Sequence, residues 1–214
     1  RAAAQVSGRP LSCLLLEYSN APDRWREVMA GIRAARAAGI DASAQVAGRP
    51  VGVIMSLETT INPFGAHPSW QELEPLAPAE RVRRLREDAG LRRRLLSEQS
   101  GNRRMQGMLE KSYVLSERPD YEPDPARSLA ELARADGASL WEKAMELLLA
   151  DDGRGLLMHP FENYAHGNLD AVREMLADEA TVISGSDAGA HVGTAATPSA
   201  RRVQGCARGS PSRH

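Results

Sequence analysis

Two extended apolar stretches flank a segment whose apolar residues recur at helical spacing, and this alternation restricts the chain to an α/β fold. Residues 2–8 (AAAQVSG) read as a short strand, and residues 11–16 (LSCLLL) continue it as an apolar run. From Pro22 to Ala38 the period changes: Trp25, Val28, Met29, Ile32 and Ala35 fall on one helical face. Pro22 suits a first helical turn, and Gly39 suits the position just past the end. Residues 42–46 (ASAQV) and 51–55 (VGVIM) then read as buried strands. Strand, helix, strand in this order predicts parallel strands joined by a right-handed crossover.

The first two extended stretches also resemble each other. AQVSGRP at 4–10 and AQVAGRP at 44–50 agree at six of seven positions, forty residues apart. A solenoid would need about three or more such units. Equivalent strands of a (β/α) barrel, each ending in a Gly-Arg-Pro turn, fit better. Beyond them, residues 63–150 carry interrupted helical periodicity, with a short strand at 112–115 ahead of the loop PDYEPDP. Leu156, Leu157 and Met158 form a buried strand; Asn168 caps a helix that turns Leu169, Val172 and Met175 inward; and residues 181–184 (TVIS) are the last strand. Residues 194–214 have no apolar periodicity and read as an unstructured or out-of-frame tail.

Composition limits the function classes. The 214 residues carry 27 basic and 28 acidic side chains, a net charge of −1, which gives no general pull towards nucleic acid or anionic membrane. No apolar run approaches the roughly 18–20 residues that span a bilayer, and no signal-peptide pattern opens the chain, so a cytoplasmic protein is expected. Cys13 and Cys206 lack metal-pair spacing, and Cys13 reads as a buried core thiol. Only Lys111 and Lys143 are lysines, a bias that reads as codon usage. The arginines between Arg81 and Arg94 alternate with Glu80, Glu87 and Asp88 at helical spacing, which describes a solvated face with local ion pairs. Arg1 stands at the edge of an apparent strand, so the chain reads as a fragment.

The sharpest chemical motif is SGSDAGAHVG at 184–193, which begins where the last strand ends. Small residues let backbone approach a ligand closely, and a strand's C-terminal end is where an α/β barrel places its chemistry. Asp187 there can ligate a divalent metal and exchange a proton with metal-bound water; the alternative is a Gly-rich turn in which Asp187 caps the next segment. A second cluster, HPFENYAHGN at 159–168, holds His159, Glu162 and His166, candidates for metal ligation or polar substrate contacts. His67, between Pro and aromatic neighbours, suggests a rigid loop more than a catalytic base.

Several of these motifs in register resemble the N-acyl-D-amino-acid deacylases (D-aminoacylases) of the amidohydrolase superfamily. The similar stretches are SDAGAH at 186–191, Asn163-Tyr164, LDAVREML at 169–176, residues 45–53, Asn62-Pro63-Phe64 and PDYEPDP at 119–125. The resemblance implies a (β/α)8 barrel that hydrolyses amide C–N bonds of N-acyl amino acids with zinc-activated water. It assigns Asp187 as the proton-shuttling aspartate and a metal ligand, with His191, Asn163 and Tyr164 contacting substrate. It makes residues 4–7, 42–46 and 181–184 the sixth, seventh and eighth strands, and residues 63–150 a helical insertion. Residues 1–193 are then the C-terminal part of the catalytic barrel. The remaining ligands would lie upstream of residue 1, and Gly8 would stand where a sixth-strand histidine is usual.

The expected partners are a small-molecule substrate and the missing N-terminal part of the barrel, with neither nucleic acid nor membrane. The isolated chain is expected to be inactive. The alternative is a non-catalytic amidohydrolase-like binding or scaffold protein with a decayed site.

Overall fold

The computed structural model describes residues 2–98, 102–183 and 195–196. In chain order the elements are α1 (Ala2–Ser7), β1 (Leu11–Leu15), α2 (Arg24–Ala37), β2 (Ala42–Val46) and β3 (Val51–Met55). Next come α3 (Pro78–Glu87), α4 (Ala89–Ser97), α5 (Arg103–Glu110), β4 (Tyr113–Val114), α6 (Leu129–Asp136) and α7 (Leu140–Gly153). The chain continues through β5 (Leu157–Glu162), α8 (Asp170–Leu176), β6 (Thr181–Ile183) and β7 (Ala195–Ala196). Two compact units divide these elements: residues 2–52 with 160–183, and residues 53–159 with 195–196. The architecture is mixed α/β, and the described strands form two small sheets that do not close into a barrel.

In the first unit a parallel sheet runs in the order β1-β2-β6. Leu11 pairs with Ala42 and Leu15 with Val46, while Ala44 and Val46 pair with Thr181 and Ile183. The central β2 buries Ala42, Ala44 and Val46 completely, small side chains that let the helices come close. Helix α2 lays Trp25, Met29, Ile32 and Ala35 on this core, four of the five residues its periodicity puts on one face, while Val28 stays exposed; α8 adds Val172 and Met175. The parallel β1-α2-β2 unit is therefore as expected from the sequence. Gly39, at φ +79°, turns the chain out of α2. Arg33 Nε donates to Asp178 at 2.7 Å, and Arg26 pairs with Glu174. These bonds fasten α2 to the segment that carries α8.

Three expectations for this unit need correction. Residues 2–8 do not form a strand: Ala2–Ser7 is helix α1, and the strand lies downstream at Leu11–Leu15. Three successive alanines favour helix, and the Gly8 N–H closes it on Ala4 O at 2.9 Å with φ +65°. The identical AQV at 44–46 is strand because β1 and β6 pair with it on both sides and bury Ala44 and Val46. Tertiary context, not the shared sequence, decides between the two. Gly8 consequently ends a helix and not a strand. Cys13 is only half-buried, because it lies on an outer strand of the sheet. On β6, Val182 and Ile183 are 50% and 80% exposed.

The second unit holds the four-stranded order β4-β5-β3-β7, with β4–β5 and β3–β7 antiparallel. Four of its helices, α4 to α7, begin on side-chain caps: Asp88, Asn102, Ser128 and Ser139 each accept an N–H of the first turn. Ser139 and Glu142 complete a reciprocal capping box. Their inner faces bury Leu85, Leu91, Leu95, Leu109, Leu129, Trp141 and Leu148 around Phe64, Trp70 and Leu73. The arginines of α3 and α4 are largely solvated and paired: Arg83 with Glu80 and Glu87, Arg86 with Asp152, Arg94 with Glu72. Such exposed pairs contribute about 0–1 kcal/mol each.

Arg81 departs from that pattern. Its guanidinium donates to the carbonyls of Leu57, Leu73, Glu74 and Leu76 and lies 5.3 Å from the Trp70 ring centre. It ties the start of α3 to the loop before it. No helix among the described residues is long and apolar enough to cross a membrane.

Candidate functional site

The cluster with the most chemistry lies in the first unit, where β1 ends. The apolar run of β1 stops at Glu17, whose side chain is 1% exposed. Asn163, just past β5, sits in the left-handed region at φ +60° with no exposed surface. Its N–H donates to Glu17 O at 2.9 Å, and its Oδ1 accepts from the Glu17 N–H at 2.8 Å. Its Nδ2 donates to Ala47 O at 3.1 Å and Arg49 O at 3.3 Å, just beyond β2. One carboxamide thus joins the C-terminal ends of β1 and β2 to the loop after β5. A substrate contact at Asn163 would have to displace one of these bonds.

The Glu17 carboxylate continues the link. Its Oε2 accepts the Ala165 N–H at 3.0 Å, and its Oε1 faces His166 Nε2 at 3.8 Å, with the His166 side chain 59% exposed. Glu162 is the second carboxylate in reach, its Oε2 accepting the Ser19 N–H at 2.9 Å. Burial pushes the Glu162 carboxyl above its ordinary range and the Glu17 charge adds to that, while the Ser19 bond acts the other way. A cleft of about 200 Å³ opens beside the group, lined by Glu17, Asp23, Arg26, His166, Asp170 and Glu174. Arg26 is committed within it, paired with Glu174 and stacked 4.2 Å from the Trp25 ring centre.

The remaining candidates fall elsewhere. Tyr164 is buried beside Asn163, so the structure brings that pair to the strand ends together with Glu17 and His166. Asp187 and His191 lie outside the described residues. His159 belongs to β5 in the second unit and His166 to the first, so they do not act as one described metal pair. His67, also in the second unit, is 2% exposed. Its Nδ1 lies 2.8 Å from Leu95 O, and its ring packs edge-on to Phe64 and against Trp141. It is a loop anchor, as its Pro and aromatic neighbours suggest. Among the described residues no three His, Cys, Asp or Glu side chains converge as a metal site, so these residues alone do not fit the zinc that the resemblance implies.

His159 makes a testable contribution to stability. Burial lowers its pKa below the usual imidazole value; backbone hydrogen bonds with Lys111 and Met108 oppose this, and the Lys111 charge adds to it. Its Nδ1 is buried without a partner. The unfolded chain therefore takes up a proton first as pH falls through about 6.5, and stability declines there. In urea titrations between pH 7.5 and 5.5, His159→Leu should lose less stability than the wild type; an equal loss in both would assign the decline to other groups.

Sequence reasoning missed Glu17. Its one signal was a lone acid closing the run LSCLLLE, where a strand's burial ends and its C-terminal face begins. Comparison with protein-family models, with curated proteins and with solved structures finds no match.

Proposed function

We propose that the chain is the C-terminal part of a metal-dependent amidohydrolase barrel that hydrolyses non-peptide amide C–N bonds, with N-acyl-D-amino acids as the substrate class. The observation that carries this reading is the parallel order β1-β2-β6 with the β1-α2-β2 crossover, the arrangement that consecutive barrel strands would have. Asp187 follows β6 in sequence, at the end of a strand where such barrels place catalytic groups. On this reading β1 takes the place of the sixth strand, β2 of the seventh and β6 of the eighth, and Asp187 carries the proton between the attacking water and the leaving amine. Asn163 and Glu17 hold the strand-end loop that presents Tyr164 and His166. The metal ligands other than Asp187 come from strands upstream of residue 1, and the protein works in the cytoplasm. The alternative of a decayed, non-catalytic site drew its support from Gly8, which ends α1 and so no longer bears on a strand-end ligand.

The test is to compare this chain with the product of the longer reading frame. The 214-residue chain by itself should neither bind stoichiometric zinc nor cleave N-acyl-D-amino acids. The longer product should do both and carry a His-x-His pair upstream. Zinc-dependent cleavage by the isolated chain would contradict the fragment reading. A longer frame with no upstream histidine pair would contradict the hydrolase.

A further inference from the structure

We propose that Glu17 is a positioning residue whose buried carboxylate holds the loop after β5 closed over the ends of β1 and β2, and that protonation of His166 tightens this latch. The carboxylate is 1% exposed and has no lysine or arginine partner among the described residues. A buried carboxylate without a counter-charge is costly, and the charged form needs a cation or further hydrogen bonds. The ring that faces it is His166, with Nε2 at 3.8 Å, on the same loop whose Ala165 N–H already donates to Glu17 Oε2.

The other charged groups around the latch are engaged. Arg26 and Asp23 at the start of α2 pair with each other at 3.6 Å, and Arg26 also pairs with Glu174 of α8. Asp170 of α8 binds Arg173. Arg49, after β2, donates to its neighbour Pro50 O. Glu162 at the end of β5 is the carboxylate whose titration feels the Glu17 charge, and its raised pKa, due first to burial and then to Glu17, fits a site short of positive charge. Protonated His166 supplies that charge, converts a 3.8 Å approach into an ion pair and draws Tyr164 and His166 onto the strand ends.

A role for this loop in substrate binding rests on the amidohydrolase reading; the latch itself does not. Its test therefore uses neither metal nor substrate. Amide exchange of Ala165, corrected for the intrinsic rate, is followed by NMR in the full chain from about pH 8 to about pH 6. The wild type should gain protection as pH falls. Glu17→Ala should raise exchange at Ala165 about tenfold near pH 8, and by more near pH 6, where the wild type has gained protection. Glu17→Gln keeps an acceptor for Ala165 but should lose the pH dependence, and His166→Gln, at an exposed position, should lose it with the protection at high pH intact. Unchanged protection in Glu17→Ala, or a pH dependence that survives in Glu17→Gln and His166→Gln, would overturn the latch. Loss of hydrolase activity or zinc in the longer protein would bear on the proposed function alone.

Discussion

Gly155→Ala is expected to unfold the second unit. A Cβ built on Gly155 would stand 1.9 Å from Leu147 O and 2.9 Å from Leu147 C and Leu148 Cα, all backbone atoms of α7. No rotamer change relieves a clash with backbone, so α7 or the start of β5 has to move. Neither can move cheaply. Leu148 and Leu157, on either side, are completely buried in the core that also holds Trp141, and Gly155 N–H bonds Ala150 O at 3.2 Å. The chain reaches this point only by breaking α7 at Ala150 and passing through positive φ at Asp151, Asp152 and Gly153. A loss of about 4 kcal/mol or more is expected, the range reserved for core disruptions. Fluorescence of the buried Trp70 and Trp141 should shift to that of solvated indole. Gly107→Ala in α5, where a Cβ meets nothing within 4 Å, is the control and should gain about 0.5–1 kcal/mol. Cooperative unfolding of Gly155→Ala within about 1 kcal/mol of the wild type would refute this account of the turn.

The second large effect is Asn163→Ala. Three backbone groups lose their partner at once: the Glu17 N–H and the carbonyls of Ala47 and Arg49. A buried group left unsatisfied costs about 1–3 kcal/mol, and alanine held at left-handed φ costs about 1–2 kcal/mol more. These contributions are not additive, and a total of about 4 kcal/mol is expected for the first unit. Asn163→Gly removes the backbone strain but not the lost bonds, so it should fall between the wild type and Asn163→Ala in urea unfolding followed at Trp25. A glycine variant no more stable than the alanine variant would show that left-handed backbone is not part of the cost. An alanine variant close to wild type would show that water replaces the carboxamide.

The same residues show what was legible beforehand. The β1-α2-β2 unit could be read because Trp25, Met29, Ile32 and Ala35 keep helical period between two apolar runs, and β2 and β3 appear at their expected limits. Helix α1 could not, since AQV is a strand at 44–46 and a helix at 4–6, and only pairing partners distant in sequence distinguish them. The pairing of Tyr113 with Met158 is equally non-local. Within the arginine run nothing in the pattern separates Arg81, bound to four carbonyls, from the solvated arginines around it. At the candidate site, Asn163 and Tyr164 stand out in the sequence as substrate contacts, while the structure bonds Asn163 to two chain segments that each lie more than 100 positions before it. Glu17 escaped notice because its partners, Asn163, Ala165 and His166, are likewise remote.

The most direct measurement of the central claim is hydrolysis of an N-acyl-D-amino acid by the zinc-loaded product of the longer reading frame, with and without Asp187→Asn. Asparagine keeps the size of the side chain and removes its capacity to take and return a proton. If Asp187 is the proton carrier at the end of the eighth strand, kcat should fall by about 10²–10⁴-fold with zinc still bound. Undiminished turnover in Asp187→Asn, or a wild-type protein that binds no zinc and cleaves no acyl amino acid, would contradict the account.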